Sequence, residues 1–218
     1  MNNNLTELVY ILDKSGSMYH LTADTIGGYN SMIAEQKKQP GDANVTTVLF
    51  DSKHMTIVEN ENIQNVKDMT SSDYVPGGGT AMLDAIGDTI ISIGRKLAAM
   101  PEEERPGKVI VTIVTDGAEN SSMDYSYRDI KKMIQEQRNK YSWIFVFIGA
   151  NIDAGEIGGC MGIDPMLVKG YTANQVGTQS LYKSVSSATS MSRGLSARGV
   201  DATDEYVKVM SVELDKIQ

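Results

Sequence analysis

The stretch 108–115 constrains the fold more than any other part of the sequence, because every residue after Lys108 in it is Val, Ile or Thr. A strand of this composition is typical of a central position in a mostly parallel sheet, buried on both faces. Further apolar runs at 5–12, 45–50 and 143–148 are interpreted as strands, with helical patterns between them. The sequence therefore predicts an α/β fold, a Rossmann-like, doubly wound sheet with helices on both faces.

One strand pair is predicted to be antiparallel. The apolar run 55–58 follows the strand 45–50 after residues 51–54 alone, which suffices for a hairpin and is too short for a parallel crossover. A strong amphipathic helical pattern follows a glycine-rich loop and begins at Thr80, which we interpret as its N-cap. Further helices are predicted at 127–138, 153–161 and 173–191, with a short strand at 166–169.

The carboxyl-terminal part of the chain is predicted to differ from the rest. Residues 193–203 are rich in Gly, Ser and Ala and are interpreted as a linker, whereas residues 206–217 have apolar side chains at helical spacing. We therefore expect one domain over 1–192. The remainder, 193–218, is expected to be a linker and an amphipathic helix that docks on the same domain.

Composition excludes several classes of partner. Lys and Arg number 20 against 28 Asp and Glu, a net charge of -8, and the absence of a basic cluster argues against nucleic acid. No apolar run approaches the roughly 20 residues of a membrane span, and residues 1–4 do not resemble a secretory signal. We expect a cytoplasmic protein without a membrane partner. One cysteine and two histidines cannot form an intrachain disulfide or a Cys/His zinc cage.

Acidic and hydroxyl side chains follow the predicted strands. Asp13, Ser15 and Ser17 alternate after the first strand, Asp116 follows the most buried one, and Thr80 follows the glycine-rich loop. Because the carboxyl ends of parallel strands meet at one edge of a sheet, we expect these side chains to converge there. Oxygen ligands of this kind suit Mg²⁺ or Mn²⁺. The sequence therefore predicts a metal site built from these five residues.

The ligand types also indicate a function. A hydroxyl donates less charge to a metal than a carboxylate does, so a cation bound directly by Ser and Thr stays electrophilic. Such a cation would bind an acidic group offered by a partner, and glycines at 77–79 would let another backbone approach. We therefore expect a metal-dependent module that captures an Asp or Glu carboxylate of another protein.

The three motifs together resemble the von Willebrand factor A domain and its metal-ion-dependent adhesion site. That site consists of Asp-x-Ser-x-Ser, matched by Asp13, Ser15 and Ser17, a distant Thr, matched by Thr80, and an Asp in a Thr-Asp-Gly triplet, matched by Asp116. The resemblance implies that the three hydroxyls contact the metal directly, and that the two carboxylates do so directly or through water. It also implies a mostly parallel sheet with one antiparallel edge strand.

The resemblance extends over about residues 5–191 and has further implications. The family binds proteins and does no chemistry, so we do not expect an enzyme. Without disulfide or signal, the chain is similar to small intracellular bacterial members, and from this resemblance alone an ATPase or stress-response system is suggested as partner. In some relatives the last helix shifts when the metal gains an acidic ligand, which suggests the same for 173–191.

Other interpretations of the same residues stay open. An Asp after the first strand also begins Mg²⁺-dependent phosphatases and phosphotransferases of the haloacid dehalogenase type, although these need a second Asp where Ser15 stands. The chain could instead be a scaffold with a vestigial metal site. Singly, Asp13 and Asp116 could be ordinary turn formers. Residues 119–122 could form a rim that a partner touches, or a solvated loop.

Overall fold

The computed structural model describes residues 1–198 and 203–217. Within those residues there are six strands and six α-helices. The strands are β1 (Asn2–Asp13), β2 (Asp42–Phe50), β3 (His54–Asn62), β4 (Pro106–Thr115), β5 (Ile144–Gly149) and β6 (Val168–Gly170). The helices are α1 (Thr22–Gln36), α2 (Met82–Ala99), α3 (Tyr127–Tyr141), α4 (Ala154–Cys160), α5 (Gln175–Ala197) and α6 (Thr203–Leu214).

The strands form one sheet in the order β3-β2-β1-β4-β5-β6. All neighbouring pairs are parallel except β2 with β3, which is antiparallel and lies at the edge. This confirms the predicted fold class and the hairpin. The register aligns Asp13 at the end of β1 with Phe50 at the end of β2, and the neighbouring Leu12 with Val114 of β4. The carboxyl ends of the three central strands therefore meet at one edge of the sheet.

Helices pack on both faces of this sheet. On one face the Tyr10 ring of β1 meets the Tyr29 ring of α1 edge to face, with centroids 6.0 Å apart, and α5 packs beside α1. On the other face α2 and α3 contact each other and α2 packs over β1 and β2. Strand β4 is buried almost throughout, as its β-branched composition predicts.

Helix α5 continues past the predicted start of the linker. It ends at Ala197 rather than near residue 191, so the assignment of a linker from Arg193 is wrong for its first residues. A buried contact of Arg193 accounts for the longer helix. Its guanidinium donates from Nη1 to the carbonyl of Gln36 (2.6 Å) and from Nη2 to the carbonyl of Gly41 (2.8 Å). This contact holds α5 against the end of α1. Residues 199–202 of the predicted linker lie outside the described residues.

Helix α6 packs against α5 and contributes Tyr206, Met210 and Leu214 to the buried core. The Lys108 ammonium at the start of β4 lies over the ring of Tyr206, 4.3 Å from its centroid. The apolar stripe of the tail helix is thus covered by the same domain. None of the helices within the described residues is long and apolar enough to cross a membrane.

Candidate metal centre

Backbone hydrogen bonds join two of the predicted site loops. After β1, the amide of Gly16 donates to the carbonyl of Gly78 (3.2 Å), and the amide of Gly77 donates to the carbonyl of Lys14 (2.9 Å). Gly78 has a φ of +69°, a conformation that favours glycine, and a Cβ there would lie 2.8 Å from the Ser52 hydroxyl. The loop after β1 and the glycine-rich loop therefore form one unit at the edge of the sheet.

Asp13 is buried and organises the first loop. Its Oδ1 accepts a hydrogen bond from the amide of Ser15 (2.6 Å), and its Oδ2 accepts one from the Thr115 hydroxyl at the end of β4 (2.6 Å). Burial raises the pKa of Asp13 and the nearby Asp116 charge adds to this rise, while the hydrogen bonds from Thr115 and Ser15 lower it. The carboxyl of Asp13 thus ties the ends of two neighbouring strands together.

A chain of short contacts links the other predicted ligands. The hydroxyl oxygens of Ser15 and Ser17 lie 3.1 Å apart, and the Ser17 hydroxyl donates to Oδ1 of Asp116 (2.5 Å). The second oxygen of Asp116, Oδ2, is buried without a hydrogen-bond partner. A buried carboxylate oxygen without a partner is costly. Asp116 Oδ2 is therefore available as a ligand for a cation bound beside it.

Thr80 brings the third hydroxyl to the same place. A Cβ built on Gly117 would lie 3.8 Å from the Thr80 hydroxyl and 3.9 Å from that of Ser17, so both hydroxyls border Gly117. The predicted N-cap role of Thr80 is wrong, because α2 has Ala81 as its N-cap and no side chain of that residue caps it. The amide of Thr80 instead donates to Oδ1 of Asn120 (2.9 Å).

The start of α2 is capped by the loop that follows Asp116. One oxygen of Glu119 accepts from the amide of Leu83 (2.9 Å), and its other oxygen accepts from the amides of Ser121 (2.8 Å) and Ser122 (2.7 Å). In return, Asp84 of α2 accepts from three successive amides of that loop, at 2.8 to 3.0 Å. Glu119 therefore points inward, and the interpretation of residues 119–122 as a solvated loop is wrong for this side chain.

The capping roles of these two carboxylates were not predicted from the sequence. An acid in the first helical turn, such as Asp84, is a common signal because it complements the helix dipole. Glu119 carries no such signal, because the helix that it caps starts more than 30 residues earlier in the chain. Together the two residues hold Thr80 and Asp116 in place relative to each other.

Replacing Glu119 by Ala should lower the free energy of unfolding by about 1 kcal/mol, the usual cost of a lost helix cap. The amide of Leu83 loses its acceptor, and the loop loses three bonds that shape it, from the Ser121 amide and from the amide and hydroxyl of Ser122. Urea denaturation of the metal-free protein measures the effect. Asp124→Ala, at an exposed position of the same loop, is the control, and equal stability of the two variants would contradict the capping role.

The structure brings all five predicted residues together at one edge of the sheet. They offer two carboxylates and three hydroxyls, all of them oxygen donors. Among the residues that the structure describes, no group of three or more His, Cys, Asp or Glu could hold a metal ion. The donor set thus fits a hard divalent cation, with Asp116 Oδ2 as an unused oxygen, and it does not resemble a carboxylate-rich or thiolate site.

The structure is similar to several solved structures. One of them is proximal thread matrix protein 1 from the mussel byssus, with a zinc-occupied metal-ion-dependent adhesion site (MIDAS) motif. Its TM-score is 0.58 at 15% identity, covering 85% of this chain and 46% of that one. The ArnB paralog VWA2 from Sulfolobus acidocaldarius has a TM-score of 0.54 at 15% identity, covering 85% of this chain and 45% of that one. The manganese-loaded TRAP protein of Plasmodium vivax has a TM-score of 0.53 at 18% identity, covering 80% and 71%.

These similarities define the fold as that of a von Willebrand factor A domain. The chain spans slightly less than half the length of the mussel and Sulfolobus proteins. Divalent metals are named for two of the similar structures, zinc in the mussel protein and manganese in TRAP. Comparison of the sequence with family models and with curated proteins gives no match.

Proposed function

We propose that this chain is a metal-dependent protein-binding module. It holds Mg²⁺ or Mn²⁺ through Asp13, Ser15, Ser17, Thr80 and Asp116, and uses the cation to capture a carboxylate of another protein. The observation that carries this proposal is the buried Asp116 Oδ2 without a partner, beside linked serine hydroxyls. The zinc and manganese named for two structures of the same fold support a divalent metal here.

The residues of this chain supply a rigid cation-binding site lined by oxygen atoms. Asp13 is held by hydrogen bonds from Ser15 and Thr115, so its carboxyl shapes the loop as well as facing the site. Hydroxyl ligands leave most of the positive charge on a cation, and the bound cation would supply a Lewis-acidic position for an incoming carboxylate. A partner's Asp or Glu is the side chain that completes such a site.

The proposal is of a binding module and not an enzyme. His20 is the histidine nearest in sequence to the site serines, and its ring nitrogens contact backbone carbonyls of Ser17 (2.9 Å) and Ala173 (3.3 Å), so it is not placed as a base for a hydroxyl. We expect no turnover of an aryl phosphate in the presence of Mg²⁺. Turnover that Asp13→Ala abolishes would establish the phosphatase alternative instead. From the resemblance alone, the proposal extends to a cytoplasmic bacterial protein with an ATPase or stress-response partner.

Isothermal titration of the chelator-treated protein with Mg²⁺ and Mn²⁺ tests the metal site. We expect saturable binding of one ion, weakened by Ser15→Ala because one of the three hydroxyl ligands is lost. Ser92→Ala, at an exposed position in the middle of α2, is the matched control and should bind like the native protein. Absence of binding by the native protein would overturn the proposal and favour a scaffold with a vestigial site.

A further inference from the structure

A second buried carboxylate lies far from the candidate metal centre. Glu7 is in β1, and its distance along that strand from Asp13 is about 20 Å at the usual rise per residue. Glu7 is 1% exposed, and its Oε2 has no hydrogen-bond partner. Its Oε1 is occupied, because the Thr46 hydroxyl donates to it (2.8 Å). Since a buried carboxylate oxygen without a partner is costly, Oε2 is the atom at which a ligand would gain most.

Glu7 lines a cavity between the sheet and α2. The volume of this cavity is about 180 Å³, which is space for about six water molecules at about 30 Å³ each. Residues of β2 and β3 form one wall, and the middle of α2 forms the other. The side chains of Glu59, Asp88 and Lys96 in its lining are 69%, 46% and 38% exposed, respectively. The cavity therefore opens to solvent beside them, and a small molecule can reach Glu7.

The formal charges in the lining of the cavity are mostly negative. Three acids, Glu7, Glu59 and Asp88, face it together with Lys96 and His54. The Lys96 ammonium pairs with Glu59 (3.5 Å), and Nε2 of His54 lies 3.4 Å from Oδ2 of Asp88. Both basic side chains are thus engaged by acids other than Glu7, and Oε2 stays without a partner. This arrangement attracts a cation and disfavours an anion.

The lining suits an organic cation better than a metal ion. Within residues 1–198 and 203–217, no group of three or more His, Cys, Asp or Glu could hold a metal ion. The lining also includes the apolar side chains of Val48, Ile93 and Leu97, which can pack against an alkyl chain. The Thr56 hydroxyl in the same lining can accept a hydrogen bond from an ammonium group.

We propose that this cavity binds a small alkylammonium ion, with the ammonium group on Oε2 of Glu7 and the alkyl chain against Val48, Ile93 and Leu97. The ammonium supplies both the hydrogen-bond donor and the positive charge that Oε2 lacks. A chain of about four carbons matches the volume of the cavity. The cavity is separate from the metal centre, so this proposal stands or falls independently of the proposed function.

Titration of the full chain with butylammonium tests the proposal, followed by the methyl chemical shifts of Val48, Ile93 and Leu97 in NMR spectra. These methyl groups report on the cavity and not on the metal centre. The titration is run at pH 8 in a buffer without amines, because burial raises the pKa of Glu7 to about 7 and the carboxyl must be ionised. We expect saturable shifts with a Kd of about 1 mM or below, which lies within the limit for a ligand of this size.

The neutral 1-butanol has as many non-hydrogen atoms as butylammonium and is the control ligand. It should give no saturable shift, because it brings no charge to Oε2. Equal affinities of the two ligands would overturn the proposal in favour of a merely apolar cavity. Absence of saturable shifts with butylammonium would overturn it in favour of a cavity that holds water only.

Two matched variants test the role of Glu7. Glu7→Gln keeps the shape of the side chain and removes its charge, so it should weaken butylammonium binding at pH 8 by about tenfold or more. Glu61→Gln makes the same change at an exposed position of β3 outside the cavity, and it should bind like the native protein. Methyl spectra recorded without ligand verify that both variants are folded. Equal affinities of the two variants would overturn the proposal.

Discussion

Replacing Asp116 by Asn is expected to weaken divalent-cation binding by more than about a hundredfold, because loss of an outer-shell partner alone costs about 10- to 100-fold. The metal-free variant should nevertheless be as stable as the native protein, or more stable. The Asn oxygen can still accept from the Ser17 hydroxyl, which lies 2.5 Å from Oδ1 of the native side chain. The negative charge on the buried Oδ2 atom, which has no partner, is removed together with its repulsion of Asp13.

Two measurements on the same sample separate the effects on binding and stability. Calorimetric titration gives the cation affinity, and thermal unfolding with chelator and with excess Mg²⁺ gives the stability of each state. A ligand that binds only the folded state raises the melting temperature, so this rise should be present in the native protein and absent in Asp116→Asn. Asp124→Asn changes the same charge at an exposed position and should behave like the native protein. Native-like cation affinity in Asp116→Asn would remove this residue from the site.

Most of the fold could be predicted because its strands are read from local patterns. The β-branched composition of β4 is uncommon outside a strand covered on both faces, and the short link between β2 and β3 permits only a hairpin. The end of α5 could not be predicted in this way. Gly, Ser and Ala after residue 192 indicate a linker locally, whereas the buried Arg193 extends the helix through contacts with α1, far away in sequence.

The site shows the same division between local and distant information. Asp13, Ser15 and Ser17 are spaced so that their convergence follows from the chain itself, and Asp116 follows from the end of β4. Thr80 lies beside the other predicted ligands, as expected, but it is not the N-cap of α2. That cap comes from Glu119, and a side chain that reaches a helix from a distant loop leaves no periodic signal.

Replacing Glu7 by Gln is expected to stabilise the protein at pH 8 and to have little effect near pH 4.5. Glu7 lies in β1 under α2, where Oε1 accepts from the Thr46 hydroxyl (2.8 Å) and Oε2 is buried without a partner. Burial raises the pKa of Glu7 to about 7 from 4.5, although the Thr46 hydrogen bond and the charge of Lys96 lower it. The folded state therefore holds a proton that the unfolded state releases between these two values. Stability falls as the pH rises from about 4.5 to 7, by on the order of 3 kcal/mol in total.

Urea denaturation of both proteins at pH 5 and pH 8, in the presence of chelator, measures this linkage. Burial also raises the pKa of Asp13, so the pH dependence of the native protein contains more than one group. The difference between native protein and Glu7→Gln isolates Glu7, and that difference should grow with pH. Glu59→Gln is the matched control, because its side chain is 69% exposed and pairs with the same Lys96 at 3.5 Å. A Glu7→Gln difference that is equal at the two pH values would show that Glu7 has the same pKa in the folded and unfolded states.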